Sequence, residues 1–426
     1  MSGERVLVLG GGSSQLSLLE RCRARGLVTV LADRDPHAPG RAMCDHYAQA
    51  STFDAAAVLE AAREHRVQAV ITAGTDQPVL VATKVCEALG LPSFLDVETA
   101  LAVTNKRVMK ARLAALGIPT ARWILAGRDV SGRDAGGRDL AELRPPYVTK
   151  PVDSQGQRGV YRIEDPETLR AVAAEVLSWS REDAFLVEEY YPSREVTVSG
   201  WVRRGELRIL TVTDRVTRDF GAHIGVCLAH RYPTHLASRR AEIETLTARL
   251  VEGLGIREGP IYFQLLSGEQ GVLVNEVACR LGGAYEDRFI PRVTGVDMLD
   301  LLIRASLGED VRPQPDPAFR GDHAPLYVTV PLLFCRPGRV HAFSDLSGVR
   351  ELPGVVAAEW LQKPGVTIDP LRNSTQRVAY LVVEARDRDE VNRRARAALE
   401  RMHATDASGT ELLIDALPEN LHPLPV

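Results

Sequence analysis

Lys150, Glu188, Glu195, Glu276 and Arg280 are the residues of this chain whose types and spacing promise chemistry. In Pro146–Val160 an apolar run delivers Lys150 into a loop carrying Gly156 and Gly159. Such a loop can fold over a polyphosphate and offer backbone N–H groups, while the lysine neutralises phosphate oxygens. An exposed hairpin is the plainer alternative. Next, Leu186–Tyr191 runs out through Glu188 and Glu189 into Pro192, and a new strand opens at Glu195. Exposed backbone in such a linker can read a base edge with one N–H and one C=O. Glu195 can accept from sugar hydroxyls, although a solvated acidic turn reads equally well.

Two further strands, Ile261–Leu266 and Val272–Val277, flank the turn Ser267–Gly271. Symmetric pairing about Gln270 sets Gln264 opposite Glu276 and Tyr262 opposite Ala278, all on one face. Asn275, the neighbouring position, is expected on the other face. Glu276 supplies a hard oxygen for Mg²⁺ and Arg280 a guanidinium for a phosphoryl group. A surface salt bridge between these two is the alternative.

The elements that must position these groups follow from periodicity. The 426 residues suggest two to four domains at about 100–200 residues each. With 45% hydrophobic and 25% charged residues the composition is globular, which excludes wholesale disorder. A net charge of −4 excludes the electrostatic footprint of a dedicated nucleic-acid binder. No apolar run reaches the ~18 residues that span a bilayer. The first residues read as a strand entering glycines, not as a signal peptide. None of the six cysteines is paired at CxxC spacing, so reduced thiols in a cytoplasmic protein are expected.

Residues 1–103 alternate strand and helix: Arg5–Leu9, Ser14–Arg25, Val28–Ala32, Ala55–Glu64, Ala69–Thr72 and Pro78–Leu89. That order predicts a parallel α/β sheet. A helix at Lys106–Leu116 stops at Gly117 and Pro119. Gly127–Asp139 reads as a mobile surface loop. The middle is α+β, and the tail from Val311 is mixed. Gly10–Gly12 with Asp33 has the outline of a dinucleotide turn, but the third small residue is missing and Gln15-Leu16 stands there. Asp76 lies at a strand's carboxyl end, as a ligand contact or a helix N-cap.

Taken in order, these pieces resemble the ATP-grasp superfamily over roughly 103–297, and the first domain is similar to a pre-ATP-grasp domain. The resemblance implies an ATP-grasp fold with a Rossmann-like domain at 1–103, an ATP-grasp domain at 104–310 and a mixed C-terminal domain at 311–426. The lid subdomain would occupy about 120–187. It implies that Lys106 and Lys150 grip the nucleotide and that Gln155, Gly156 and Gly159 form the phosphate lid. Glu188, Glu189 and Tyr191 form the adenine hinge, and Glu195 takes the ribose. Glu276 and Gln264 hold Mg²⁺, with Mn²⁺ as a substitute, and Arg280 and Lys150 act in catalysis. Gln264 stands where an acid is common, as in carbamoyl phosphate synthetase domains. Ala278 replaces the usual asparagine, which puts the two-metal arrangement in doubt.

The run Asn275–Gly283 and Ile290–Asp297, with the long tail, resembles the L-amino acid ligase branch. The implied activity joins a carboxylate to an amine through an acyl phosphate, on small-molecule substrates, with no nucleic acid or membrane partner. Many members are dimers, so a homodimer is compatible with this reading. His230 is a candidate base, and His223, Asp76, Arg288 and Arg292 are candidate substrate contacts. Structural histidines and a solvated basic face are the alternatives. Competing functions are a bicarbonate-activating, purine-pathway relative and a nucleotide-binding protein with degraded catalysis. An NAD-dependent oxidoreductase would rest on Gly10–Gly12 alone.

Overall fold

The computed structural model describes residues 3–128, 130, 139–314 and 326–417. Strands Arg5–Leu9, Val28–Asp33, His46–Gln49 and Ala69–Ile71 form a parallel sheet in the order third, second, first, fourth. Val6 and Val8 pack with Leu18 and Leu19 of the helix Leu16–Ala24. Leu7 and Leu9 point the other way, onto Val58 and Val85 of the helices Ala55–Glu64 and Gln77–Leu89. An unbroken apolar strand needs this cover on both faces. Full burial of each leucine is worth about 1.5–3 kcal/mol.

The glycine turn after Leu9 is not a dinucleotide loop. The Gly11 N–H donates to Asp33 Oδ2 at 2.7 Å, so the acid that a ribose would need is engaged by the turn itself. Asp76 makes no side-chain cap; Gln155 Oε1 instead accepts from the Asp76 and Gln77 N–H groups at 2.8 and 3.3 Å.

A 12-stranded sheet, antiparallel in its pairings, runs through the remainder. Its centre is Arg194–Arg203, flanked by Glu206–Phe220 and Glu258–Gly268. Val196, Val198, Phe263 and Leu265 face Ile243, Leu246 and Leu250 of the helix Arg240–Gly253. A smaller layer, Trp123–Ala126, Tyr147–Pro151, Tyr161–Ile163 and Phe185–Glu189, is covered by Pro166–Leu177 through Leu169, Ala173 and Val176. At the other end Tyr327–Leu333 pairs with both His223–Tyr232 and Ala379–Ala385, and the helix Arg388–Leu399 packs there.

The mixed α/β and α+β class is as expected, and the structure adds elements. His223–Tyr232 is a strand that periodicity does not mark, because Gly225 sits at φ +69 and the pairing with Glu206–Phe220 slips twice. Helices Val97–Thr104, Glu286–Thr294 and Met298–Ser306 were not assigned either. The loop expected at Gly127–Asp139 lies almost wholly outside the described residues.

The hairpin Glu258–Gly268/Gly271–Ala278 sets Gln264 opposite Glu276 and Tyr262 opposite Ala278, as symmetry predicts. Between Gln264 and Leu265 the register slips by one residue, leaving Asn275 without a partner. A bulge of this kind re-aims a side chain. The expectation that Asn275 faces away from Glu276 is thereby overturned.

Candidate active site

Strand ends and one helix start bring the predicted side chains to a common cleft. Asn105 caps the helix Lys106–Ala115 by accepting from Arg107 and Val108 N–H, which fixes the direction of the first turn. Lys106 Nζ then lies 3.0 Å from Glu276 Oε1 and 2.7 Å from the Ser154 carbonyl. Lys150 Nζ lies 2.9 Å from Glu188 Oε2 and 2.7 Å from Asn275 Oδ1, the bulged residue. Lys110, fully buried, reaches the other oxygen of Glu188 at 3.0 Å. The sequence reading did not single out Lys110. Its signal was the four-residue spacing from Lys106, which puts both on one helix face.

These groups set each other's charge. Burial pushes the Glu188 carboxyl up, but Lys110 and Lys150 outweigh it and hold it below the usual range. Burial likewise opposes the Glu276 charge, and Lys106 wins, so its carboxyl is also lowered. Lys106 is correspondingly raised, by Glu276 against burial. Lys110 is lowered to about 8, because burial outweighs Glu188 and Lys150 adds repulsion.

Of the residues expected at the hinge and lid, all but Gly159 border the same cleft, often with their side chains already engaged. Glu188 points inward to the lysines and not to the linker surface. Glu189 pairs with Arg122 at 3.2 Å and accepts from Arg144 N–H at 2.9 Å. The Tyr191 hydroxyl donates to the Gly271 carbonyl at 2.9 Å and so pins the hairpin turn. Glu195 is ion-paired to the buried Arg215. Gly156 and Gly159 adopt φ +68 and +70, which glycine alone takes without strain. The Gly156 carbonyl accepts from Ser374 N–H at 3.2 Å and from its hydroxyl at 3.1 Å, tying the loop to the C-terminal part. A Cβ on Gly156 would stand 2.6 Å from the Thr375 methyl.

A second cavity of about 380 Å³ adjoins the cleft, sharing Gln155, Gly156, Gln157, Gln264 and Glu276 with it. Arg280 lines this cavity, with Nε 2.8 Å and Nη2 2.7 Å from Asp76 Oδ1 and its guanidinium over the Tyr262 ring. The Glu276–Arg280 surface pair is therefore not what forms. A roomier groove of about 760 Å³ between Gly205 and Arg257 gathers none of the predicted residues.

Three candidates are left out of the cavity. His223 packs on Tyr161 with ring centroids 4.9 Å apart. Arg292 is paired to Glu384 and Arg288 to Asp287, Glu20 and Glu359. His230 does line the cavity, but burial first, then Arg215 and Arg377, push its pKa down to about 3. It is a neutral ring beside the Thr197 and Thr213 hydroxyls at 3.5 and 3.4 Å, and too weak a base for the proposed proton transfer.

Residues 143–287 match the ATP-grasp domain family, and residues 331–405 match the L-amino acid ligase C-terminal domain 2. The chain carries an ATP-grasp domain followed by an L-amino acid ligase C-terminal domain. The chain is 22% identical to the L-arginine-specific L-amino acid ligase of Bacillus subtilis, over 69% of its own length and 70% of the relative's. It is 25% identical to dapdiamide A synthase of Enterobacter agglomerans, over 78% and 81%. The L-amino acid ligase structure from Bacillus licheniformis superposes with a TM-score of 0.75 at 18% identity, over 95% of this chain and 99% of the other.

Proposed function

We propose that the chain is an ATP- and Mg²⁺-dependent carboxylate–amine ligase that joins amino acids or amino-acid-like acids by an amide bond. The observation that carries this reading is the convergence of Lys106, Lys150 and Glu276 on one cleft, opening into a cavity lined by Arg280. The L-amino acid ligase C-terminal match favours an organic carboxylate over bicarbonate as the acid that ATP activates.

Among the described residues no group of three or more His, Cys, Asp or Glu could hold a metal by itself. One carboxylate, Glu276, to which Gln264 Nε2 donates at 3.4 Å, with the Asn275 amide oxygen on neighbouring Lys150, fits an ion that completes its shell with phosphate oxygens and water. When bound, Mg²⁺ supplies neutralisation of phosphate charge. Lys106 and Lys150 would exchange glutamate contacts for phosphate oxygens. The loop 154–159 would exclude water from the acyl phosphate. Arg280, held by Asp76, would orient the reacting carboxylate or the transferring phosphoryl group. A carboxylate oxygen attacks the γ-phosphorus and ADP leaves; the amine nitrogen then attacks the acyl carbon, and phosphate leaves with the proton the amine gives up.

The division at 103 and 310 is supported by the parallel sheet, whose strands end at Ile71, and by the ligase C-terminal match beginning at 331. Six free cysteines support a reducing, cytoplasmic setting. Among the described residues no helix is long and apolar enough to cross a membrane. Mn²⁺ substitution and a homodimer belong to the same proposal. Hydroxylamine trapping tests the activity: with the right acid, hydroxamate and ADP should form together. An ATP-binding preparation that yields no hydroxamate from any carboxylate would sink the reading.

A further inference from the structure

The cavity beside the cleft is lined by three arginines, Arg215, Arg280 and Arg377. Two of them are matched: Arg215 by Glu195 and Arg280 by Asp76. Its acids are matched as well, Asp76 by Arg280 and Glu276 by Lys106. Arg377 differs. Nη1 donates to the Gly283 carbonyl at 3.1 Å, and the guanidinium lies 5.3 Å from the Tyr285 ring centroid. Its Nε is buried without an acceptor, and among the described residues it pairs with no carboxylate. Arg377 is half-buried, but a guanidinium with a buried, unsatisfied Nε and no counter-ion is still costly, and a carboxylate is its best planar partner.

The stoichiometry of the reaction says which carboxylate is left to meet it. The donor acid spends its carboxylate on the acyl phosphate. An amine partner that is itself an amino acid keeps one, and has to bring that charge into the cavity. We propose that Arg377 is the residue that anchors the acceptor amino acid's own, non-reacting carboxylate. This rests on the ligase reading above. The placement also serves the chemistry. With every cavity acid already paired, nothing stabilises an ammonium group, and cations nearby favour the neutral, nucleophilic amine. The neutral His230 ring, which Arg215 and Arg377 help to keep unprotonated, fits a cavity with this excess of positive charge.

The test compares each acceptor amino acid with its carboxamide, which keeps the amine and loses the charge. In the wild type kcat/KM should favour the free acid by about tenfold or more, the yield of one charge-assisted pair. Arg377→Leu should raise KM for the free acid and bring the two acceptors within about twofold. Arg377→Lys should restore part of the preference. It also carries the test if the leucine variant does not fold. Equal use of acid and amide by the wild type would overturn the proposal, and so would a preference as large as the wild type's in either variant. Hydroxylamine trapping with the wild type separates the two levels. Hydroxamate formation without any acid-over-amide preference sinks the Arg377 anchor alone, whereas absence of hydroxamate sinks the ligase reading and the anchor with it.

Discussion

In the lysine cleft Glu188 sits between Lys110 and Lys150, and Glu276 sits against Lys106. In the adjoining cavity His230 is neutral and Arg377 meets no acid among the described residues. The cleft is thus neutralised from within, its glutamates standing in for the anions to come. The cavity holds its charge in reserve. The contrast separates residues that a polyphosphate must displace from their partners from a residue that waits for one.

Breaking the cleft should have the largest effect. Glu276→Ala removes the carboxylate ion-paired to Lys106 and should cut turnover by roughly 1000-fold, read as ADP release at saturating substrates. Turnover within tenfold of wild type would mean that the cleft is not where ATP reacts. Glu188→Gln should act on stability. It leaves two buried ammonium groups sharing a neutral amide, at a cost of about 3–5 kcal/mol in urea unfolding. A loss below about 1 kcal/mol would show that the lysines find other partners.

The smallest effect belongs to the cavity side and depends on pH. Glu286 is buried beneath Gly282, accepting from Ser199 Oγ at 2.8 Å and Gly282 N–H at 3.1 Å. Burial outweighs those donors and raises its carboxyl from 4.5 to about 7. The folded chain therefore binds a proton that the unfolded chain has released. Stability from this group is complete below pH about 4.5 and is lost as pH rises through about 7. Glu286→Gln should flatten that decline and raise the melting temperature at pH 8 by a few degrees, roughly what 2–3 kcal/mol gives a chain of this size. A variant that melts lower than wild type at pH 8 would show that the ionised carboxylate is the form the fold prefers.

How far the sequence could be read depended on range. The pairing of Gln264 with Glu276 follows from a symmetric hairpin, a local inference that needs only strand period and turn length. The same rule failed one residue later, because the bulge at Asn275 breaks alternation and turns an amide toward Lys150. His223 and His230 are an odd number of residues apart and part company: one packs at a tilt against Tyr161, the other enters the cavity. Asp76 and Arg280 are 204 positions apart, and no spacing rule joins them. Arg377 lies in a stretch with no motif at all. Its place at the cavity depends on how Tyr327–Leu333 carries the C-terminal part onto the central sheet.

The tie between Gly156 and Ser374 makes position 156 a seam. One methyl group there would collide with Thr375 and disfavour the backbone's left-handed turn, a wedge driven between the loop and the C-terminal part. A single added carbon is thus the least alteration that would unhook the two while leaving every charge in the molecule in place.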